Sequence, residues 1–412
     1  MTTVIVFILV LGLLVFVHEL GHFLTARKLG IGVEEFGFGY PPRLFGVLVS
    51  KKKKNQENSA TSPSDTAEKP AEKSPKKWQW FWGNKIKSEN LDRLTQDPII
   101  YSINLLPLGG FVKILGENGE QNNNPETFAN QAAWKRSLVL SAGVIMNFIF
   151  AFILLSVGFL LGLPQTIDQN TPPDKIYNQN VIIVEIFPQS PAEEQGLKIN
   201  DVIVAIDGAE VKNTNEVFDK LKINKEVTFT IERNKEKQDI KLSPKLMPEH
   251  DKPIIGVAMV DTGVVRYGFF GSIWQGLRAT AILSYRVLEA LYTLFANLIT
   301  QGKVSADLSG PIGVAVITGQ VAEMGFIYLL QFAAILSINL GIINIIPFPA
   351  LDGGRLLFIL IEKIRRKKVS EKIEGIAHNA GFMLLMLLVL VITYRDLMRY
   401  GGGFLDKIKD LF

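Results

Sequence analysis

Long apolar runs constrain this chain more than any other feature. A helix needs about 20 mostly apolar residues to cross a bilayer core of about 30 Å. Three segments meet that length: Met1 to about Leu24, about Leu138 to Leu163, and about Gly375 to Tyr394. A fourth, from Phe326 to Pro347, is uncharged but carries Asn339 and Asn344 and ends at a proline. A fifth, residues 269–299, is interrupted by Arg278, Arg286 and Glu289. The first run has no basic stretch before it and no small-residue cleavage pattern after it, so it reads as a retained span and not as a signal peptide.

Loop charges orient these spans. The segment from Arg27 to Arg136 is rich in Lys and Arg, including "KKKK" at 51–54, and the short loop "EKIRRKKVSEK" at 362–372 is also basic. Both belong in the cytoplasm by the positive-inside rule. The chain leaves through the second span and must return once before residue 362, so only one of the two weaker segments crosses. The uncharged 326–347 run is the better candidate, and 269–299 becomes an amphipathic or interfacial helix. The expected fold class is a multi-pass α-helical membrane protein with four spans: 1–26, 137–163, 326–361 with the motif at its end, and 375–394. A basic cytoplasmic loop fills 362–374, an interfacial region 269–325, and a tail 395–412 lies outside. The net charge of +4 is carried in loops. It reports topology and not a nucleic-acid surface, so no nucleic-acid partner is expected. The absence of cysteine excludes disulfides and thiolate ligands.

Two regions between spans have other characters. Within 27–136, residues 33–49 and 98–115 have strand composition with Gly and Pro turns. They are expected to form a β-hairpin region at the membrane. Its long connection holds a Lys/Ser/Pro/Glu-rich insert at 51–77 that reads as disordered. Residues 164–268 alternate short apolar runs with turns, as in "NVIIVEIF", "DVIVAIDG" and "EVTFTIER". They read as one compact α+β domain on the outer side.

The first span contains "HELGH". His18 and His22 are four apart, so a helix puts both rings on one face, with Glu19 beside them. H-E-x-x-H supplies two imidazole ligands to zinc and a carboxylate that acts as general base on a water the metal activates. Only four histidines occur in the chain, and two are here. The plainer reading is a polar pair facing a bundle interior, but ionisable residues inside a membrane are functional by default. A catalytic zinc needs a third protein ligand. The other histidines are His250, in the outer domain, and His378, at the start of the last span. The better candidate is Asp352 in "NIIPFPALDGG", where prolines end the helix and glycines are expected to free the backbone. Its plainer reading is an N-cap of the following helix. Topology separates the two: His18, His22 and Asp352 all fall at the cytoplasmic ends of parallel spans. An extra crossing at 269–299 would put Asp352 on the far side.

On these motifs the chain resembles the site-2 protease family of intramembrane zinc metalloproteases, in its bacterial regulator-of-sigma-E protease branch. "HELGH" resembles the family's zinc motif and "NIIPFPALDGG" its N-x-x-P-x-P-x-L-D-G-G motif. "GFGYPP" and "LLPLGGFVKILGE" resemble its membrane-associated β-hairpin region, and "AGVIMNFIFA" its second span. "SPAEEQGLKINDVIVAIDG" resembles a protease-associated PDZ domain, one copy where Gram-negative members carry two. The resemblance implies His18, His22 and Asp352 as zinc ligands and Glu19 as catalytic base. It implies that Asn344 holds the substrate backbone and that the loop at Gly109 and Gly110 offers a strand edge to an unwound substrate. Asn147 stands where the family tends to have an asparagine, either packing the spans or meeting substrate. The implied substrates are single-span membrane proteins, such as anti-sigma factors or signal-peptide remnants, often after an upstream site-1 cut. The implied location is the bacterial inner membrane, with the PDZ domain outside. A non-proteolytic PDZ membrane scaffold is the alternative. A metal transporter is disfavoured, because its ligands would spread across the bilayer depth.

Overall fold

The computed structural model describes residues 2–49, 78–83, 98–117, 124–167, 171–188, 190–221, 226–233, 236–244, 254–302 and 309–409. The expected insert at 51–77 lies outside them. The chain divides into two compact units, residues 1–154 with 279–412, and residues 155–278.

Among the described residues, seven long helices make up most of the first unit. These are α1 (Thr2–Lys28), α2 (Ala133–Leu161), α5 (Phe269–Gln301), α6 (Pro311–Met324), α7 (Phe326–Ile345), α8 (Asp352–Arg365) and α9 (Glu371–Lys409), with the last residues of α2 and the first of α5 counted in the second unit. Of these α1, α2, α5, α7 and α9 are long and apolar enough to cross a membrane. In α1, α2 and α7 the apolar residues do not collect on one face. Leu387, Leu388, Leu390 and Val391 of α9 are all at least half exposed, which suits helices surrounded by lipid. The 269–299 segment is a single helix with none of its apolar window buried, and its Arg286 pairs with Glu289 on its own surface.

Contacts fix the helix directions. His22 meets Val139 and His18 meets Asn147, so α1 and α2 run in opposite directions. Gly21 lets them approach: a Cβ there would lie 2.4 Å from the Ala142 carbonyl oxygen, the close packing that small residues permit between membrane helices. Gly319 of α6 lies against Thr3, at the start of α1, and Asn344 of α7 lies against His18. So α7 runs parallel to α1. At the same end as Thr3, the Gly313 amide donates to Asp396 of α9.

Beside α1 lies a three-stranded sheet of order β2–β1–β3, made of β1 (Val33–Val49), β2 (Trp78–Trp82) and β3 (Ile99–Ile114). Both long strands are folded into two limbs. Phe36 is in register with both Tyr101 and Val112, and Val47 with Tyr101 and Trp80. Phe23, Ile31, Phe36, Ile114, Val139 and Ile359 share one buried core that joins α1, the sheet, α2 and α8. The bend of β1 is held by a buried ion pair, Arg43 with Glu35, to which the Ser102 hydroxyl also donates at 2.6 Å.

The second unit holds a seven-stranded sheet in which β4 (Leu163–Thr166), β10 (Val257–Val265), β5 (Ile176–Ile186), β6 (Val202–Ile206), β8 (Val227–Arg233) and β9 (Glu236–Leu242) lie in that order, with β7 (Ala209–Glu210) paired to β6. Asp207 and Gly208 both take positive φ, as a tight hairpin turn requires. Two short helices, α3 (Pro191–Glu194) and α4 (Thr214–Lys220), are capped by Ser190 and Asn213, which accept from the amides of Glu193 and Glu216. Val181, Ile183, Ile203, Phe229 and Ile231 are fully buried between the layers.

Candidate metal centre

Helical spacing brings His18 and His22 to one side of α1, their Nε2 atoms 3.1 Å apart. The chain between α7 and α8 brings Asp352 to the same place. Its Oδ2 lies 3.1 Å from His18 Nε2 and 3.3 Å from His22 Nε2. One potential ligand atom from each residue falls within 4.8 Å of the others, and this is the group of this kind among the described residues. Both histidines are buried.

Hydrogen bonding at the far side of each ring decides what the near side offers. His22 Nδ1 lies 2.8 Å from the Val139 carbonyl oxygen. A carbonyl only accepts, so Nδ1 carries the proton and Nε2 presents a lone pair. His18 Nδ1 lies 3.1 Å from the Asn147 side-chain amide. The Asn147 Oδ1 is otherwise buried without a partner. Turning the amide over gives it the His18 Nδ1–H, and His18 Nε2 then also presents a lone pair. Two imidazole lone pairs and a carboxylate then converge with no hydrogen between them. That donor set fits a zinc ion, and the partners behind the rings are the kind that orient metal-binding histidines.

Asp352 arrives by a route the sequence pattern did not foretell. The glycines that follow it do not free the backbone. Gly353 and Gly354 lie inside α8, where a Cβ would meet the carbonyl oxygens of Ile346 and Phe348 at 2.2 and 2.3 Å. They are there for close approach. The left-handed residue is Ala350, with φ of 80°. Nor is Asp352 a cap. The N-cap of α8 is Leu351, without a side-chain cap bond, and Asp352 is the first helical residue.

His378 of α9 is not brought to the metal-ligand group. Its Nδ1 accepts from the Ala350 amide at 2.9 Å, so it grips the turn that delivers Asp352. Sequence reasoning weighed it only as a ligand. His250 lies outside the described residues. Asn344 Nδ2 is 3.4 Å from His18 Nε2, beside the ligand group. The Ser337 hydroxyl donates to the Asn147 carbonyl at 2.8 Å, tying α7 to α2. Asn147 is fully buried, against the side of the His18 ring that faces away from Asp352.

Glu19 lies on the other side. Its Oε2 accepts the Val112 amide of β3 at 3.2 Å. Gly109 and Gly110 sit against α1, where a Cβ would meet Val15 at 2.7 Å and the Phe16 Cα at 3.2 Å. Tyr40, in the bend of β1, has its hydroxyl pushed above the usual tyrosine range by burial and then by the charge of Glu19. A cavity of about 680 Å³ opens beside Asp352, lined by Arg136, Arg355, Glu117, Glu362 and Lys368 among others. Arg355 pairs with Glu117, and Arg136 with Glu362. Charged and polar side chains therefore line the space beside Asp352.

Apolar helices around a His–His–Asp cluster with a carboxylate at its edge define a membrane-embedded metalloprotease of the site-2 type. The chain belongs to peptidase family M50, whose model matches residues 6–57 and 83–388. It is similar to the regulator of sigma-W protease RasP of Bacillus subtilis, 31% identical over 96% of this chain and 98% of that one. It is also similar to the zinc metalloprotease RasP of Geobacillus kaustophilus, 32% identical over 97% and 98% of the two chains. A putative zinc metalloprotease of Fusobacterium nucleatum is 30% identical over 96% and 98%. Among solved structures, the PDZ domain of an SdrC-like protein from Listeria monocytogenes matches 21% of this chain and 92% of its own, with 20% identity and a TM-score of 0.19. Likeness at that score does not define a fold.

Proposed function

We propose that this protease cuts peptide bonds within the membrane-spanning segments of single-span membrane proteins, using zinc held by His18, His22 and Asp352. The convergence of those three side chains carries the reading. Zinc, when bound, supplies a Lewis acid that polarises the scissile carbonyl and activates water. Glu19 takes the proton from that water and passes it to the leaving amide nitrogen. The Val112 amide holds its carboxylate in place while it does so.

A helical peptide bond is shielded, so the substrate must unwind. The outer limb of β3 pairs with β1 on one side and has no strand on its other side among the described residues. A substrate strand laid along that edge near Gly109 and Gly110 runs past Glu19, a case of β-augmentation. Asn344, beside His18, donates to the substrate backbone. The relative from Bacillus subtilis is named for regulating sigma-W, and by that likeness an anti-sigma factor is the expected class of substrate here, trimmed first by an upstream site-1 protease.

Four spans are the topology we favour. The chain leaves α2 and enters α7 at the end of the bundle marked by Thr3 and Asp396, so it crosses an even number of times between them. The shorter of the two helices there, α6, has 14 residues, about 21 Å, too short for a core of about 30 Å. Neither α5 nor α6 then crosses, and α5 lies along the interface. Positive charge in the loops puts the metal centre near the cytoplasmic face of a bacterial inner membrane and the 164–268 domain outside. Strand alternation and caps support a PDZ domain there, acting as a size filter.

The test is Glu19→Gln in purified protein with a reconstituted single-span substrate. Cleavage is expected to be lost while zinc is retained. Unchanged cleavage overturns the assignment of the base, and the scaffold alternative is the reading that survives a variant with intact function.

A further inference from the structure

The strand β2 has the sequence Trp-Gln-Trp-Phe-Trp, and it falls in the part of the chain, between residues 57 and 83, that the family model does not match. Alternation sends Phe81 inward, where it is buried, and Trp78, Trp80 and Trp82 outward, where they are 56%, 64% and 72% exposed. They are not loose. Phe45 stacks on Trp80 at 5.2 Å and contacts Trp82 at 5.6 Å. Three exposed tryptophans on the edge strand of a sheet are, in water, an aggregation site.

The register shows what the same face meets elsewhere. Trp80 pairs with Val47, Val47 with Tyr101, and Tyr101 with Phe36, so all four lie on one side of the sheet. At the other end of that row, Phe36 and Tyr101 pack on Phe23 of α1, with ring centroids 4.6 and 5.9 Å apart. One apolar face therefore begins against a membrane-spanning helix and continues past it uncovered. What surrounds α1 on its uncovered sides is lipid. Tryptophan is the residue enriched where acyl chains meet headgroups.

We infer that Trp78, Trp80 and Trp82 form an anchor that seats the outer edge of the sheet in the headgroup region of the leaflet nearest the metal centre. The anchor fixes the depth at which β3 presents its free edge to a substrate.

The chain has five tryptophans. Full-length Trp134→Phe/Trp274→Phe protein, placed in nanodiscs of phosphatidylcholine and phosphatidylglycerol, leaves only the three of interest as emitters. Bromine on the acyl chains near the headgroups is expected to remove about half of their emission or more, and bromine near the bilayer centre much less. Aqueous acrylamide is expected to quench weakly. Strong quenching by acrylamide with none by bromolipid overturns the inference in favour of a solvated face. Quenching by neither overturns it in favour of a protein cover, such as a second copy. If the double variant does not fold, the difference in bromolipid quenching between wild type and Trp78→Phe/Trp80→Phe/Trp82→Phe reads the same quantity.

Discussion

Asn147 on α2 meets His18 on α1 at 3.1 Å, on the ring nitrogen turned away from Asp352. That contact sets which nitrogen of His18 is free for a metal. Asn147→Ala removes it without touching the ligand group. Zinc affinity is expected to fall about 10- to 100-fold, measured by competition with a chromophoric chelator. The same affinity in the variant would make Asn147 a packing residue only.

Gly143 gives a test in which helix stability and site integrity move apart. A Cβ at this position would lie 2.4 Å from His22 Nε2 and 2.7 Å from His18 Cε1. Replacing Gly by Ala inside a helix is ordinarily favourable by about 1 kcal/mol. Gly143→Ala is therefore expected to fold and insert normally while losing most of its zinc and its cleavage activity. The measurement is metal content per chain beside the thermal unfolding midpoint, and a variant with full zinc occupancy would show that the rings have room.

His378 acts on the site through Ala350. His378→Ala leaves the amide of a left-handed residue without its acceptor, a cost of about 1–3 kcal/mol, and loosens the turn that places Asp352. Zinc affinity and kcat are expected to fall with KM little changed. His378→Asn, which can offer Oδ1 near the position of Nδ1, is expected to recover much of both. Equal defects in the Ala and Asn variants would point to lost packing against Phe358, whose ring lies 5.7 Å from that of His378.

The second unit offers a control that should not move the metal. Arg233 binds both carboxylate oxygens of Asp201 at 2.7 Å, and Asp201 is buried. Arg233→Ala leaves that carboxylate, among the described residues, with the Lys198 amide. A loss of about 2 kcal/mol is expected in the stability of residues 155–278, below the usual figure for a buried pair because Arg233 is partly exposed. Differential unfolding followed by hydrogen exchange reads it. A matching loss of zinc would contradict the independence of the two sites.

Much of this was legible in the sequence, and for physical reasons. Twenty apolar residues in a row have few alternatives to a membrane helix, and two histidines four apart on such a helix must share a face. Loop charges predict Asp352 at the level of His18, and the two side chains meet. What stayed hidden depended on packing between distant segments. Nothing local marks Ala350 as the left-handed residue: the contacts around its turn come from distant α9, where Gly381 lies against Pro349 and His378 accepts the Ala350 amide. Gly353 and Gly354 looked like backbone freedom and are close contacts instead. The helix 269–301 meets the length for a span, and its own charges, the charges of the loops and the position of Asp352 argue against a crossing. The strand β2 carries a usable signal in the alternation of Trp, Gln, Trp, Phe, Trp, but it stands next to a polar insert whose composition points to disorder.

Zinc K-edge absorption on the purified Glu19→Gln protein tests the metal centre most directly. One zinc per chain is expected, with scattering from two imidazoles and the remaining ligands oxygen, and with the zinc lost in Asp352→Ala. A protein without zinc, a third imidazole in the shell, or full occupancy after Asp352→Ala would contradict the site.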